Sequence, residues 1–549
     1  MLSPLKSYEE LRSEFRWDMP ERYNIAYDAC DRWANVEPER LALLHVLPSG
    51  SVEEWRYGQL KRSSSQLANA LYALGVVPRD RVALLLPQAP ETAISHLAIY
   101  RLGGIAVPLA ALFGPEALRY RLENAEANVV VTNRSGLEKL SALREQLPFL
   151  EHIVCVDGDG QAHGDLDFWS LLQKGADRFE IRDTSPDDPA LMIYTSGTTG
   201  QPKGALLAHR VLLGHLPGVQ MAHELLPQPG DLFWTPADWA WAGGLLNALL
   251  PSLKFGVPVV TARIDKFDPE GAFDLMVRHG VRNAFIPPTA LKMMRSVDPS
   301  PYTEKLKLRS VCSAGEALGA EAFSWSEEAL GVTPNEMYGQ TECNLVLGSG
   351  KAVGVSKAGA IGRPVPGHEV SVIRPDGSVC DASEQGEIAV RRGTPVMFLQ
   401  YWQRPDADES KFLGDWMLTG DQGVADAEGY IHFVGRNDDV ITSAGYRIGP
   451  SEIEDYLITH EAVGLAAVVG KPDPVRTEIV KAYIVLKDGY EPSEALTNDI
   501  RQYVRVSLSA HEYPREIDFV SELPLTTSGK VIRRILRDRA RKEVELVES

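Results

Sequence analysis

The chain has 549 residues, 44% hydrophobic and 24% charged, with a formal net charge of −19 at pH 7. At about 150 residues per domain this allows roughly three or four domains or lobes, and the composition excludes a largely disordered chain. The acidic balance excludes a general nucleic-acid or anionic-membrane binder, because such partners repel a negative surface.

In chain order, MLSPLKSYEELRSEFRWDMPERYN is charged and lacks an apolar core, so it reads as neither a signal peptide nor a membrane anchor. No stretch approaches the ~20 apolar residues of a spanning helix, so no membrane insertion is expected. From Tyr57 to Thr132 helix and strand patterns alternate. YGQLKRSSSQLANALYALG reads as an amphipathic helix, RVALLLP as a buried strand, ETAISHLAIYRLGGIAVPL as helix, turn and strand, and ANVVVTN as a further strand. VDGDGQAHGDLDF reads as a surface turn, and the α/β rhythm returns at LKFGVPVVTA, VRNAFIPPTALKMM and LKLRSVCSAGEAL. The expected class is α/β with parallel sheet.

After Gly362 the texture becomes short strands and turns, HEVSVIRPDGSVC and GEIAVRRG reading as hairpins. A polar junction, VGRNDDVITSAGYRIGP, leads into a compact unit with helix SEIEDYLITH, strands GLAAVVGKPD and VKAYIVLK, helix NDIRQYVRVSLS and strand EIDFVSELP. The basic end, VIRRILRDRARKEVELVES, reads as a solvated helix. These patterns predict domains over 1–436 and 437–549. Cys30, Cys155, Cys312, Cys343 and Cys380 form no CxxC pair and no metal-spaced cluster, and read as reduced thiols of a cytoplasmic protein.

Residues 194 to 210, YTSGTTGQPKGALLAHR, concentrate hydroxyls, glycines and a lysine, the chemistry of a polyphosphate site. A Walker loop does not fit: Pro202 precedes Lys203 where glycine is needed, and Gly204 follows where a Mg²⁺-binding hydroxyl is needed. The plain alternative is a Gly/Thr turn between a strand and a helix. The loop resembles the phosphate signature of the adenylate-forming superfamily, which comprises acyl-CoA synthetases, nonribosomal adenylation domains and firefly luciferase. SAGEA (313 to 317), MYGQTE (337 to 342), LTGD (418 to 421), GRNDDVITSAGYRI (435 to 448) and PLTTSGK (524 to 530) follow in the family's order. WTPADWAW, MYGQTE and AGYRIGPSEIE look most like the medium-chain acyl-CoA synthetase branch.

The resemblance implies a large N-terminal domain of α/β subdomains with a β-barrel-like subdomain, and a small mobile α+β domain that takes two poses. It implies two steps: a carboxylate and ATP give acyl-AMP and pyrophosphate, then CoA displaces AMP. Such chemistry brings an anion to a polyanion, so positioning and charge neutralisation dominate. By resemblance, Thr195, Ser196, Gly197, Thr198, Thr199, Gly200 and Lys203 hold the β- and γ-phosphates. Thr341 meets the α-phosphate and Glu342 holds Mg²⁺. Gly315, Glu316, Ala317 and Tyr338, with neighbouring Gly339 and Gln340, form the purine slot, and Asp421 and Arg436 take the ribose. Lys530 is the catalytic lysine of the small domain and Asp438 the hinge. Gly445, Arg447 and Arg505 face CoA, with Ala444 standing where a serine is common. Cys343 reads as a packed thiol.

For the acid, Trp239, Trp241, Ala242, Gly243, Ala314 and Gly339 match pocket positions; acetate-specific relatives carry tryptophan at the last of these, so an apolar pocket larger than acetate is expected. Straight, branched and aromatic acids all remain open. An aryl-CoA ligase and a carrier-protein-loading enzyme are the neighbouring readings. The PLTTSGK pattern also resembles lysine-acetylation sites of the family, which implies an acetyltransferase and deacetylase acting on Lys530, and a homo-oligomer is a further option.

Overall fold

The computed structural model describes residues 2, 6–158, 165–195, 201–264, 266–316, 318–443, 446–474, 476–507, 513–526 and 530–548. Two large sheets form the body of the first domain. In one, Arg81–Leu85 lies between Ile105–Pro108 and Val129–Thr132, all parallel. Apart from Arg81 and Thr132 at their ends, these short runs are apolar and buried, which is why they read as continuous rather than alternating patterns. The expected helices stand at Tyr57–Ala73 and Pro90–Leu102. The second is buried nearly all round, and its Arg101 is neutralised by Asp31 inside the core.

The second large sheet contains nine strands, with Phe233–Trp234, Asn283–Phe285, Ser310–Ala314 and Pro334–Tyr338 parallel at its centre. The motifs SAGEA and MYGQTE therefore leave the carboxyl ends of neighbouring strands, where open α/β sheets bind ligands. The stretch after Gly362 forms a five-stranded antiparallel sheet that includes Gln385–Arg391, Trp416–Ala425 and Ile431–Arg436.

The chain then enters a smaller sheet built on Val463–Asp473 and Thr477–Leu486, with its own core of Ile441, Ile453, Leu457, Val468, Ile484, Ile500 and Val504. Gly449 marks the junction: a Cβ there would lie 2.1 Å from the Val434 carbonyl oxygen, so glycine lets the two segments pass. The terminal helix, Arg533–Glu548, differs from the solvated helix expected of its charge. Leu536 and Ala540, one turn apart, are buried against Tyr483, while Arg533 binds Glu454 and Arg537 binds Asp439. Its short apolar stripe is hidden in the sequence by flanking arginines that are themselves paired.

The hydroxyl-rich loop joins two antiparallel strands, Pro189–Thr195 and Lys203–Ala208, in register with Thr195 opposite Lys203. It is a hairpin, with no helix following the glycines, so any phosphate here depends on loop donors and Lys203 rather than on a helix terminus. Of VDGDGQAHGDLDF, residues 159–164 lie outside the described residues, and Leu166–Asp167 pairs as an edge strand. No helix among the described residues is long and apolar enough to cross a membrane.

Candidate active site

Asp421, on strand Trp416–Ala425, organises one half of the site and is 6% exposed. Its Oδ2 accepts from Tyr338 Oη at 2.6 Å and from Gln340 Nε2 at 2.9 Å. Register places Arg436 opposite it on the next strand, with Nε 3.8 Å from Oδ1. Burial raises the pKa of Asp421, while the Tyr338 hydrogen bond and then Arg436 pull it back. Oδ1 meets only that distant guanidinium among the described residues, leaving an acceptor that suits a pair of ligand hydroxyls.

The amide of Gln340 is fixed from both ends. Nε2 also donates to the Thr419 carbonyl at 2.6 Å, and Oε1 accepts from Lys411 Nζ at 3.1 Å. Lys411 carries no motif and sits in the poorly patterned run DESKF, so nothing in the sequence marked it.

The other half lies at the hairpin. Lys203 Nζ stands 4.4 Å from the ring centroid of Tyr401, whose hydroxyl donates to Glu342. Burial lowers the pKa of Lys203 and the Glu342 carboxylate opposes the shift. Tyr401 is the second residue that sequence reading missed. Strand Gln400–Tyr401 reaches the site by pairing with Lys203–Ala208 across nearly two hundred positions of chain, and no local pattern announces such a contact. Glu342 is 6% exposed, and Thr341 beside it is half-buried. Ser196, Gly197, Thr198, Thr199 and Gly200 lie outside the described residues, as do Ala317, Ala444, Gly445 and the side chain of Arg447.

Beside the Asp421 half stands Lys530, delivered by the small domain. Gly315 has φ +107°, and a Cβ there would lie 3.6 Å from Lys530 Cε and 3.7 Å from Nζ. Glycine is needed for the backbone conformation, while a Cβ would meet Lys530 only at ordinary contact distance. The turn carrying Lys530 is tied at its base, Thr526 N donating to the Lys530 carbonyl at 2.7 Å and Lys530 N to Thr526 Oγ1 at 3.0 Å. Lys530 keeps contact with solvent, yet crowding by protein lowers its pKa, Glu316 opposing and Arg436 adding to the shift. Glu316 itself accepts from Thr289 Oγ1 at 3.0 Å.

At Asp438, Arg537 donates to the carbonyl and Arg436 Nε approaches Oδ1 at 3.7 Å, so this residue is gripped from both domains. Arg505 is exposed and does not join the cluster; its guanidinium packs over Tyr513 at 5.4 Å, with Arg515 over the same ring at 5.0 Å. Cys343 is free and buried, its thiol pushed up to about 12 by burial, which leaves it no nucleophilic role at neutral pH.

The acid-pocket residues divide by cause. Trp239 is packed in the core at 1% exposure, while Trp241 is half-buried edge-on to Phe113 at 5.9 Å. Ala242 is buried and Ala314 packs beside the core. At Gly243 a Cβ would lie 2.9 Å from the Phe285 ring, and at Gly339 one would lie 2.3 Å from the Leu345 amide nitrogen. Gly339 therefore has a backbone-packing reason of its own, independent of ligand size. Gly339→Ala is expected to lower stability by about 1–3 kcal/mol through this clash, read from denaturant unfolding; an unchanged midpoint would return the position to the pocket argument.

The profile of the AMP-binding enzyme family matches residues 30–402, and that of the AMP-binding enzyme C-terminal domain matches 452–530. The chain is 33% identical to the acetyl-coenzyme A synthetase of Bacillus subtilis (strain 168), covering 97% of this chain and 95% of that one. It is 32% identical to the mitochondrial acyl-coenzyme A synthetase ACSM4 of Rattus norvegicus, covering 95% and 91%. Among solved structures, the anthranilate CoA ligase AuaEII in complex with anthranoyl-AMP superposes with a TM-score of 0.87 at 30% identity, covering 95% and 98%. With both domain profiles matched in order and the charged clusters meeting at the ends of the sheet, the chain belongs to the AMP-binding enzyme family as an acid–thiol ligase, an AMP-forming acyl-CoA synthetase of the adenylate-forming superfamily.

Proposed function

We propose that the protein activates a short- or medium-chain carboxylic acid, straight or branched, as its acyl-AMP and passes the acyl group to CoA. The observation that carries this reading is the position of Lys530 against Gly315, beside Glu316 and the Asp421–Arg436 cluster. In step one a carboxylate oxygen attacks the α-phosphorus and the bond to the bridging oxygen breaks, releasing pyrophosphate. Lys530 supplies a compact ammonium to the carboxylate and α-phosphate oxygens, and Lys203 holds the charge of the departing pyrophosphate. Thr341 donates to the α-phosphate. Asp421 and Arg436 fix the ribose, with Tyr338 and the 315–317 segment against the purine, so the nucleotide is oriented before the acid arrives.

Among the described residues no three carboxylate, histidine or cysteine side chains gather as a metal site. Glu342 offers one buried carboxylate already oriented by Tyr401, a donor set that suits Mg²⁺, which takes one or two carboxylates and completes its shell with phosphate oxygens and water. When bound it would neutralise phosphate charge.

In step two the small domain turns about Asp438, just past the boundary between residues 436 and 437, withdrawing Lys530 and bringing Gly445 and Arg447 to the CoA thiol's path, with Arg505 toward its phosphates. The sulfur attacks the acyl carbon, the bond to AMP breaks and the thiol proton passes to solvent. Acetylation of Lys530 would remove its charge and stop step one alone. The setting we propose is the cytoplasm.

A second reading, an aryl-CoA ligase, draws on the likeness to the anthranilate ligase. Pyrophosphate release across acetate, butyrate, hexanoate, octanoate, isobutyrate and benzoate separates the two. The aliphatic reading expects the highest kcat/KM between C4 and C8; benzoate ranking first would establish the aryl reading, and acetate ranking first would overturn the enlarged pocket.

A further inference from the structure

If Lys530 works only while the small domain faces Gly315, something must hold that domain in place. Lys530 itself makes no ion pair among the described residues.

One contact across the junction has the required character. Helix Pro288–Met294 of the large domain carries Lys292, and helix Pro450–Leu457 of the small domain carries Asp455. Lys292 Nζ lies 3.6 Å from Asp455 Oδ1, each side chain 24% exposed. The same carboxylate rests over Gly319, where a Cβ would lie 2.7 Å from Oδ2. Gly319 has φ +79°, so both its backbone and its neighbour demand glycine. A Cβ at 319 would displace the Asp455 carboxylate from the place where it meets Lys292.

Gly319 stands four residues beyond Gly315, on the loop that Lys530 meets. That loop is anchored from beneath, where Leu318 N donates to the buried Glu336 at 3.3 Å. The ion pair and the lysine therefore register on one short segment, and a shift at Asp455 displaces Lys530 from its seat. Neither Lys292 nor Asp455 belongs to the clusters around Asp421 or Lys203.

Resting on the two-pose reading above, we propose that Lys292 and Asp455 are a positioning pair that latches the small domain in the adenylating pose, supporting step one and playing no part in step two. Because the pair is partly exposed, its effect is modest and specific. Asp455→Asn and Lys292→Gln should each slow pyrophosphate release about three- to tenfold, while thioester formation from the matching synthetic acyl-AMP stays within about twofold.

The full-length protein is assayed in both half-reactions with the acid that releases pyrophosphate fastest and CoA. The exchanged pair, Lys292→Asp with Asp455→Lys, should recover most of the adenylation rate, and it is the split between the half-reactions that a merely structural role would not give. A similar loss in both half-reactions, no loss in either, or no recovery in the exchanged pair would overturn the latch while leaving the synthetase reading intact. If Asp455→Asn lowers the thermal midpoint, Lys292→Gln, altered at a helix surface in the other domain, carries the test. Absence of pyrophosphate release by the wild-type protein with any acid would overturn both readings together.

Discussion

Lys530→Ala is expected to slow acyl-adenylate formation by about 10²–10³-fold, the cost typical of removing one preorganised charge donor from a developing anion. Thioester formation from supplied acyl-AMP should stay within about threefold, because that step does not place the lysine at the phosphate. The split follows from geometry: Lys530 reaches Gly315 from a turn of the small domain, and a domain that turns away takes the ammonium with it. Rapid-quench measurement of acyl-AMP in single turnover reads the first effect, and CoA-thioester formation reads the second. Equal loss in the two would mean that Lys530 stabilises the fold or binds both states alike. The lowered pKa adds a pH signature. Adenylation should decline on the alkaline side at a pH below the ordinary lysine value of 10.5, as the neutral amine replaces the ammonium, and Lys530→Arg should move that decline upward.

Asp421→Ala should raise KM for ATP by about 30-fold or more, since charged buried hydrogen bonds are worth roughly 1.5–3 kcal/mol each and their partners are left unpaired. Tyr338 Oη and Gln340 Nε2 would lose their acceptor and Arg436 its counter-charge. The measurement is KM for ATP at saturating acid; KM for the acid should move little. A change confined to the acid would contradict the ribose assignment. Tyr401→Phe should act on the other half, loosening Glu342 and the face on which Lys203 rests, and is expected to raise the Mg²⁺ concentration needed for half-maximal activity by about three- to tenfold. An unchanged Mg²⁺ dependence would detach Tyr401 from metal binding.

The sequence was most informative where function forces residue types. Gly315 has to be glycine for its φ, Asp421 has to accept several donors, and Lys203 has to stand against Tyr401 and Glu342. Those demands concentrate unusual residues into short quoted motifs. The elements were legible for a related reason: Arg81–Leu85 and Val129–Thr132 are apolar because both faces are covered, and short apolar runs between helices signal that arrangement.

What stayed hidden depends on long-range pairing. Tyr401 enters through a two-residue strand, too short to carry a period, and Lys411 through one hydrogen bond to Gln340. The terminal helix looked solvated because its arginines outnumber its buried residues, and their carboxylate partners are distant in sequence. Gly339 shows the opposite case. Its small size suggested room for a ligand, whereas the Leu345 amide already occupies the space a side chain would need.

The most direct test of the account is the stoichiometry of pyrophosphate release by the full-length enzyme with ATP, Mg²⁺ and a C4 to C8 acid. Without CoA the account predicts a burst of about one pyrophosphate per active site, with acyl-AMP retained, and with CoA it predicts continuous turnover to acyl-CoA and AMP. Rapid continuous release without CoA, or no release with any acid in the series, would contradict it.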